Sequence, residues 1–428
     1  MKSGKLNKWV LAILLNALMF PVLAGVESPF EVGTWGNFCD GAMSITFDDW
    51  PNSGAKSIAT TGKEAFNERN IPMTMFVNTN GMSSDNWGKL AAAFEDGHEV
   101  ASHNHNHDSN QSGLQPSHDA IKQNVPGENA VSIAYPNCTP INSNEVLKYY
   151  IVGRTCASDM INSKSPSDMT KIQSKGFGSG DGNYPNSESA MNSYAQSAIS
   201  QKGWGVQLHH GIGPQDNHSW ATTDLNEMKK HLKYLDENRD KIWCETFGNV
   251  ARYIKERDAV SLSVTSSDDN SITISVTDNL ENSIFNYPLS IRRPLPDGWT
   301  DPVVTQDGEE VEFSVNNGYV MFKAVPDGGE VVISRDPVRA LKHLSHKNSG
   351  SSPVVLKNSV LLIDQQYFNG SELAVTIFNL TGKMLGSYKT GKNESRIVLP
   401  AGKINRAAFV AKITGKDKTL IQKFMPQM

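Results

Sequence analysis

Apolar runs alternate with helical stretches from Cys39 to about Lys255, and this alternation limits the folds open to the chain. The runs are Met43–Phe47, Met73–Val77, Glu99–Ser102, Val131–Tyr135, Ile151–Thr155, Gly205–His209 and Ile242–Thr246. Helical stretches include 56–69, 87–96, 144–149, 187–201 and 224–237. Repeated strand–helix units build a parallel sheet, and seven or eight of them in some two hundred residues predict a distorted (β/α) barrel. In such a barrel the chemistry collects where the strands end. Asp48, Asp49, His103, His107, Tyr135 and His210 all fall at or just after predicted strand ends.

The residue types at those ends suggest a metal. Thr46-Phe47-Asp48-Asp49 closes the first run with paired carboxylates, and His103 and His107 stand four residues apart. Nine of the eleven histidines lie between His98 and His231, so the cluster is not a uniform scatter. Two imidazoles and one carboxylate leave coordination positions open for water, as a catalytic rather than a structural site requires. A second carboxylate beside them supplies a general base. The competing readings are a capped strand end for the aspartates and a surface tract for the histidines.

The first residues read as a targeting segment. Lys2, Lys5 and Lys8 precede an apolar core from Trp9 to Phe20, and Val22-Leu23-Ala24 before Gly25 fits a cleavage site. The expected product starts near Gly25 and is secreted or held at the cell surface, most simply as a monomer. The net charge of −5 becomes three units more negative without the leader lysines. No basic aromatic groove accompanies it, which argues against nucleic acid. Four cysteines in an exported chain permit disulfides in three connectivities. Neighbouring first and last strands favour Cys39–Cys244, leaving Cys138–Cys156; zinc binding is the rival, without a CxxC pair to support it.

Beyond 258 the helical period disappears. Short alternating runs between Asp-Asn, Pro-Asp-Gly and Asn-Asn-Gly turns predict a β-sandwich over 259–336. It either braces the barrel or binds glycan, and bracing is the preferred reading. Residues 337–353 read as a polar linker, and 354–428 as a second small β-sandwich. From Pro353 onward eleven Lys and Arg face four Asp and Glu, a basic balance in an acidic chain. Gly176-Phe177-Gly178-Ser179-Gly180-Asp181-Gly182 lacks the Lys-Ser/Thr of a phosphate loop and reads as a flexible loop over the barrel mouth.

Four segments in order carry a resemblance. They are Thr46-Phe47-Asp48-Asp49; the stretch Gly97-His98-Glu99-Val100-Ala101-Ser102-His103-Asn104-His105-Asn106-His107; Ala134-Tyr135-Pro136; and Leu208-His209-His210-Gly211. Together they resemble the polysaccharide deacetylases (NodB-homology domain, carbohydrate esterase family 4) over about residues 40–256. The resemblance implies Asp48 as base, His210 as acid, and Asp49, His103 and His107 as ligands of one divalent ion: Zn2+, with Co2+ or Ni2+ as alternatives. It places the backbone N–H of Tyr135 at the oxyanion, with Trp50 and Leu208 beside the substrate. His98 and His105 match no ligand position and are expected to pack and to line the cleft.

Three departures qualify the match. Trp50 replaces a Gly after the paired aspartates. Ile133-Ala134 stands where the family has an Arg, so either Arg154 orients Asp48 or the base is less constrained. The acidic partner of His210 is poorly matched, with Asp159 as the candidate. The implied substrate is an acetylated polysaccharide such as acetylxylan, chitin or its oligosaccharides, or peptidoglycan. A non-catalytic carbohydrate-binding protein on the same scaffold is the alternative, which retention of both aspartates and the histidines opposes. A zinc protease would need HExxH, and Asn104 stands where it has Glu. Phe378-Asn379-Leu380-Thr381-Gly382-Lys383, Leu399-Pro400-Ala401-Gly402 and Lys423-Phe424 resemble the type IX secretion sorting domain, implying contact with export machinery or the cell surface.

Overall fold

The computed structural model describes residues 29–424 except 51–56, 157–158, 181–183, 214–218, 300–301, 336–353, 358–359, 366, 380–383, 393–394, 400–408 and 417. The expected leader and the linker at 337–353 lie outside the described residues. So do parts of the sorting-type segments.

The parallel sheet consists of β1 (Gly41–Trp50), β2 (Thr74–Val77), β3 (Glu99–Ser102), β4 (Ser132–Ala134), β5 (Val152–Arg154), β6 (Lys175–Gly176) and β7 (Trp204–His209). Their spatial order is β5-β4-β3-β2-β1-β7-β6, a half-barrel of seven parallel strands. A short β8 (Ile242–Cys244) pairs with the first residues of β1. The outer edges approach each other where Ile172 bridges Arg154, with Ile172 N–H donating to Gly153 O at 2.9 Å. The α/β class predicted from alternation is the one observed.

Side chains alternate across a strand, and the two large apolar clusters divide by that parity. Ala42, Phe76, Ala101, Ala134, Val152, Trp204 and Val206 belong to the interior cluster. Met43, Ile45, Phe47, Met75, Val77 and Val100 belong to the layer that also holds helix residues Leu90, Ile121, Met191 and Leu232. The interior cluster continues below the strands into Phe247, Val250 and Tyr253 of the helix Phe247–Ala259, and on into Ile274, Ile291, Val320 and Ile333. Barrel and sandwich therefore share one core, and Tyr287 adds hydrogen bonds to Glu245 (2.8 Å) and Glu256 (2.9 Å). Those contacts are what bracing requires.

The sandwich has a four-stranded and a five-stranded sheet. Glu31–Val32, ahead of the first barrel strand, is an edge strand of the former, paired antiparallel with Ile291 and Arg292. Residues 354–424 form a three-stranded and a four-stranded sheet around a separate core that includes Val375, Ile377, Phe409 and Ile413.

Two expectations fail here. Cys138–Cys156 is a disulfide, but Cys39 and Cys244 are free. Parallel register pairs Cys244 with Met43, four residues beyond Cys39, and Cys39 Sγ donates instead to Arg239 O at 3.2 Å. Neighbouring strands are not sufficient for a disulfide when the two residues stand at different levels. The glycine-rich stretch is not a loose loop as far as Gly180. Lys175–Gly176 is β6, and Ser179–Gly180 pairs with Ala221–Thr222 in a small sheet at the mouth.

Candidate active site

Asp48 continues the inward face of Ala42, Ser44 and Thr46, so strand alternation alone aims it into the mouth. Asp49 would point outward, but its φ of 66° and a register shift between Phe47 and Trp50 break the alternation. Left-handed backbone is uncommon outside glycine and disposes Asp49 towards the same cleft. His103 directly follows β3. Asn104, itself at φ 59°, bonds Asp108 O (2.6 Å) and Asn110 O (3.0 Å), tying the loop that carries His107.

Three donor atoms converge. Asp49 Oδ1 lies 3.3 Å from His103 Nε2 and 2.9 Å from His107 Nε2. One ligand atom from each residue lies within 4.8 Å of the others. His103 Nδ1 meets Ala134 O at 2.9 Å. A carbonyl only accepts, so Nδ1 carries the proton and Nε2 presents its lone pair to the cleft. Asp49 Oδ1 is buried without a hydrogen-bond partner. A divalent cation fits that donor set of two imidazole nitrogens and one carboxylate oxygen. Burial pushes the Asp49 carboxyl up, but the close imidazoles of His103 and His107, with His210 adding to them, outweigh it and hold the carboxyl well below the usual carboxylate range.

Asp48 is buried, and its Oδ2 accepts from Arg154 Nη2. Arg154 is itself fully buried, bonds Ser174 Oγ at 3.1 Å and lies over the Phe76 ring at 5.1 Å. Of the two alternatives left by the missing Arg, the structure has Arg154 in contact with the base. Asp48 Oδ1 has no partner and remains available to a proton. His210 stands across the cleft with Nε2 3.9 Å from Asp49 Oδ2. Burial lowers its pKa, while Asp48 and Asp49 oppose the fall.

Several sequence-based assignments do not survive. Tyr135 N–H donates to Arg154 O at 3.1 Å, because the β4–β5 ladder runs one residue past Ala134; it is not free for an oxyanion. The Tyr135 hydroxyl donates to Thr170 O at 2.8 Å. Trp50 is 1% exposed and packed with the apolar layer outside the sheet, so it does not open onto the cleft. Asp159 pairs with Lys175 at 3.0 Å on the surface rather than with His210, whose buried Nδ1 has no partner among the described residues. Leu208 is buried at the end of β7. His98 Nδ1 accepts from Met73 N–H at 3.2 Å, a packing role, and His105 Nδ1 meets Thr79 Oγ1 at 2.9 Å. Asn78, which sequence reasoning missed, follows β2 level with Trp50, and both its amide atoms are buried without a partner among the described residues. Its continuation of the inward parity of Thr74 and Phe76 was the signal available.

Comparison with known proteins bears on this site. Residues 36–138, which include the paired aspartates, both triad histidines and Tyr135, match the polysaccharide deacetylase family. A gellan lyase from Bacillus sp. is 30% identical over 341 residues, 73% of this chain, and the chain spans 13% of that relative's length. The carbohydrate esterase domain of a multidomain xylanase from the hindgut metagenome of Trinervitermes trinervoides is 16% identical, covering 49% of this chain and 89% of its own, with a TM-score of 0.32. A peptidoglycan deacetylase from Bacillus subtilis is 14% identical, covering 51% and 93%, with a TM-score of 0.30. Residues 36–138, which supply the paired aspartates and both triad histidines, are thus those of a polysaccharide deacetylase domain.

Proposed function

We propose that the chain is a secreted, metal-dependent deacetylase that hydrolyses acetyl groups from an extracellular polysaccharide. The observation that carries this reading is the convergence of Asp49, His103 and His107 beside an Asp48 with one free oxygen. The three residues would hold one divalent ion, with Zn2+ the simplest choice for two imidazoles and a carboxylate. When bound, the ion supplies Lewis acidity to the acetyl carbonyl and acidity to water.

The rest falls to the chain's own groups. Arg154 holds Asp48 Oδ2 and orients the carboxylate, so Oδ1 receives the proton of the attacking water. Arg154 also offsets one of the two aspartate charges; the net negative charge left over favours a cation. His210 Nε2 lies where it can deliver a proton to the departing sugar oxygen or nitrogen. Base and acid thus stand on either side of the acetyl carbon.

Acetylxylan, chitooligosaccharides and peptidoglycan are the candidate substrates. The relative named for gellan adds a polysaccharide context and says nothing of acetyl chemistry. The decisive experiment measures acetate released from these three by metal-loaded protein. Release from any of them, lost on chelation and restored by Zn2+, supports the reading; none from all three refutes it. In the same reading the basic module at 354–428 serves delivery to the cell surface. Its separate core predicts that truncation after Arg335 keeps acetate release from a small soluble oligosaccharide, and the delivery role predicts altered surface delivery in the native host. Unchanged delivery would remove that role.

A further inference from the structure

We infer that Asn78 holds the sugar ring that carries the acetyl group, by hydrogen bonds to two of its hydroxyls. The inference rests on the deacetylase reading of the site and names a residue that reading does not use.

Placement comes first. Val77 is level with Trp50 on one side and with Ser102 on the other. Asn78 N–H donates to Trp50 O at 3.0 Å, so the pairing persists one residue beyond β2. Continuing the inward face of Thr74 and Phe76, the Asn78 side chain enters the mouth above Phe76, the ring that underlies Arg154. Its strand neighbours carry Asp49 on one side and His103 on the other, so it stands between two of the three triad residues.

Chemistry comes second. Asn78 is 7% exposed, yet neither Oδ1 nor Nδ2 has a hydrogen-bond partner among the described residues. Buried polar groups are nearly always paired, because leaving them bare costs free energy without return. Two other buried amides in this barrel, Asn162 and Gln207, bond through both amide atoms, and Asn104 bonds through Nδ2. An unpaired amide in a catalytic mouth is a group kept for a ligand. It presents one acceptor and a donor side by side, and a pair of neighbouring sugar hydroxyls, each both donor and acceptor, complements it.

The test is Asn78→Leu, which keeps the size and removes both polar atoms. Melting temperature and bound metal should be unchanged or the melting temperature higher, since no bond in the free protein is lost. Two lost hydrogen bonds to substrate should lower kcat/KM for acetate release, from chitopentaose or acetylated xylotetraose, by about 10- to 100-fold. Calorimetry with the deacetylated oligosaccharides, on Zn2+-loaded protein, should show affinity weakened by a similar factor. A variant with wild-type kcat/KM and affinity overturns the inference while leaving the deacetylase reading standing. A large fall in melting temperature would make Asn78 structural, and loss of metal would make it a ligand; either overturns the inference. If wild type binds the oligosaccharides and releases no acetate, weaker binding by Asn78→Leu upholds Asn78 and the deacetylase reading fails.

Discussion

The two ends of the barrel treat buried carboxylates in opposite ways. At the N-terminal end Glu99 accepts from Ser132 Oγ (2.6 Å), Thr74 Oγ1 (2.8 Å) and the Gly248 N–H (2.9 Å). Thr74 in turn accepts from Phe247 N–H at 2.8 Å, so the carboxylate and one hydroxyl secure the first turn of the helix that closes the barrel. A Cβ at Gly248 would overlap Glu99 Oε1, which is why the helix can come so close. At the C-terminal end Asp48 Oδ1, Asp49 Oδ1, His210 Nδ1 and both Asn78 amide atoms have no hydrogen-bond partner among the described residues. Around Glu99 the protein supplies the partners itself; the other end waits for ion, water and substrate. Satisfied polar groups hold a fold together, and unsatisfied ones, at this density in one cleft, mark where a ligand completes it.

The largest expected effect breaks the open end. Asp48→Asn keeps an oxygen for Arg154 and removes the proton acceptor. Acetate release should fall by about 10²- to 10⁴-fold with metal content unchanged. An active Asp48→Asn enzyme would refute the base assignment, and an inactive one without metal would show that Asp48 supports the ion as well.

The next effect breaks the closed end. Glu99→Ala strips the acceptor from three donors, each buried, at about 1–3 kcal/mol apiece. Denaturant unfolding should show a loss of roughly 3 kcal/mol or more, while kcat/KM per folded molecule stays within about twofold, since no strand end moves. A stable Glu99→Ala variant would contradict the bonding described for this end. A stable fold with lost activity would mean that the two ends are coupled.

The open end was far easier to read in the sequence than the closed one. Asp48, Asp49, His103 and His107 were visible because chemistry restricts residue type and strands restrict position. Glu99 looked like an ordinary strand residue, as its role depends on Gly248, far along the chain. The helix Leu114–Asn124 was not anticipated, for it begins with Pro116 in its first turn and buries little beyond Leu114, Ser117 and Ile121. The Tyr135 N–H was misassigned because one extra ladder bond to Arg154 O cannot be seen in local sequence. Arg154 itself could be named only as an alternative, since a guanidinium crossing the barrel interior to reach Asp48 leaves no periodic trace.

The smallest effect sharpens the comparison through pH. Glu256, on the same closing helix, accepts from Tyr287 N–H through Oε1 and buries Oε2 without a partner. Burial is the main cause that pushes its carboxyl up to about 8, with the Asp278 charge adding to it. The folded protein therefore keeps a proton that the unfolded chain releases near the ordinary Glu value of about 4.3. Stability from this group is fully present below that unfolded pKa and is lost as pH rises towards 8. The slope within that window is at most about 1.4 kcal/mol per pH unit. Urea unfolding of wild type should thus show a midpoint that falls between pH 5 and pH 8. Glu256→Gln, which cannot ionise, should fall less over the same range. If wild type and Glu256→Gln change in parallel, Glu256 is charged in the folded protein. It would then belong with Asp49, held ionised at the open end, rather than on a closing helix that keeps its proton.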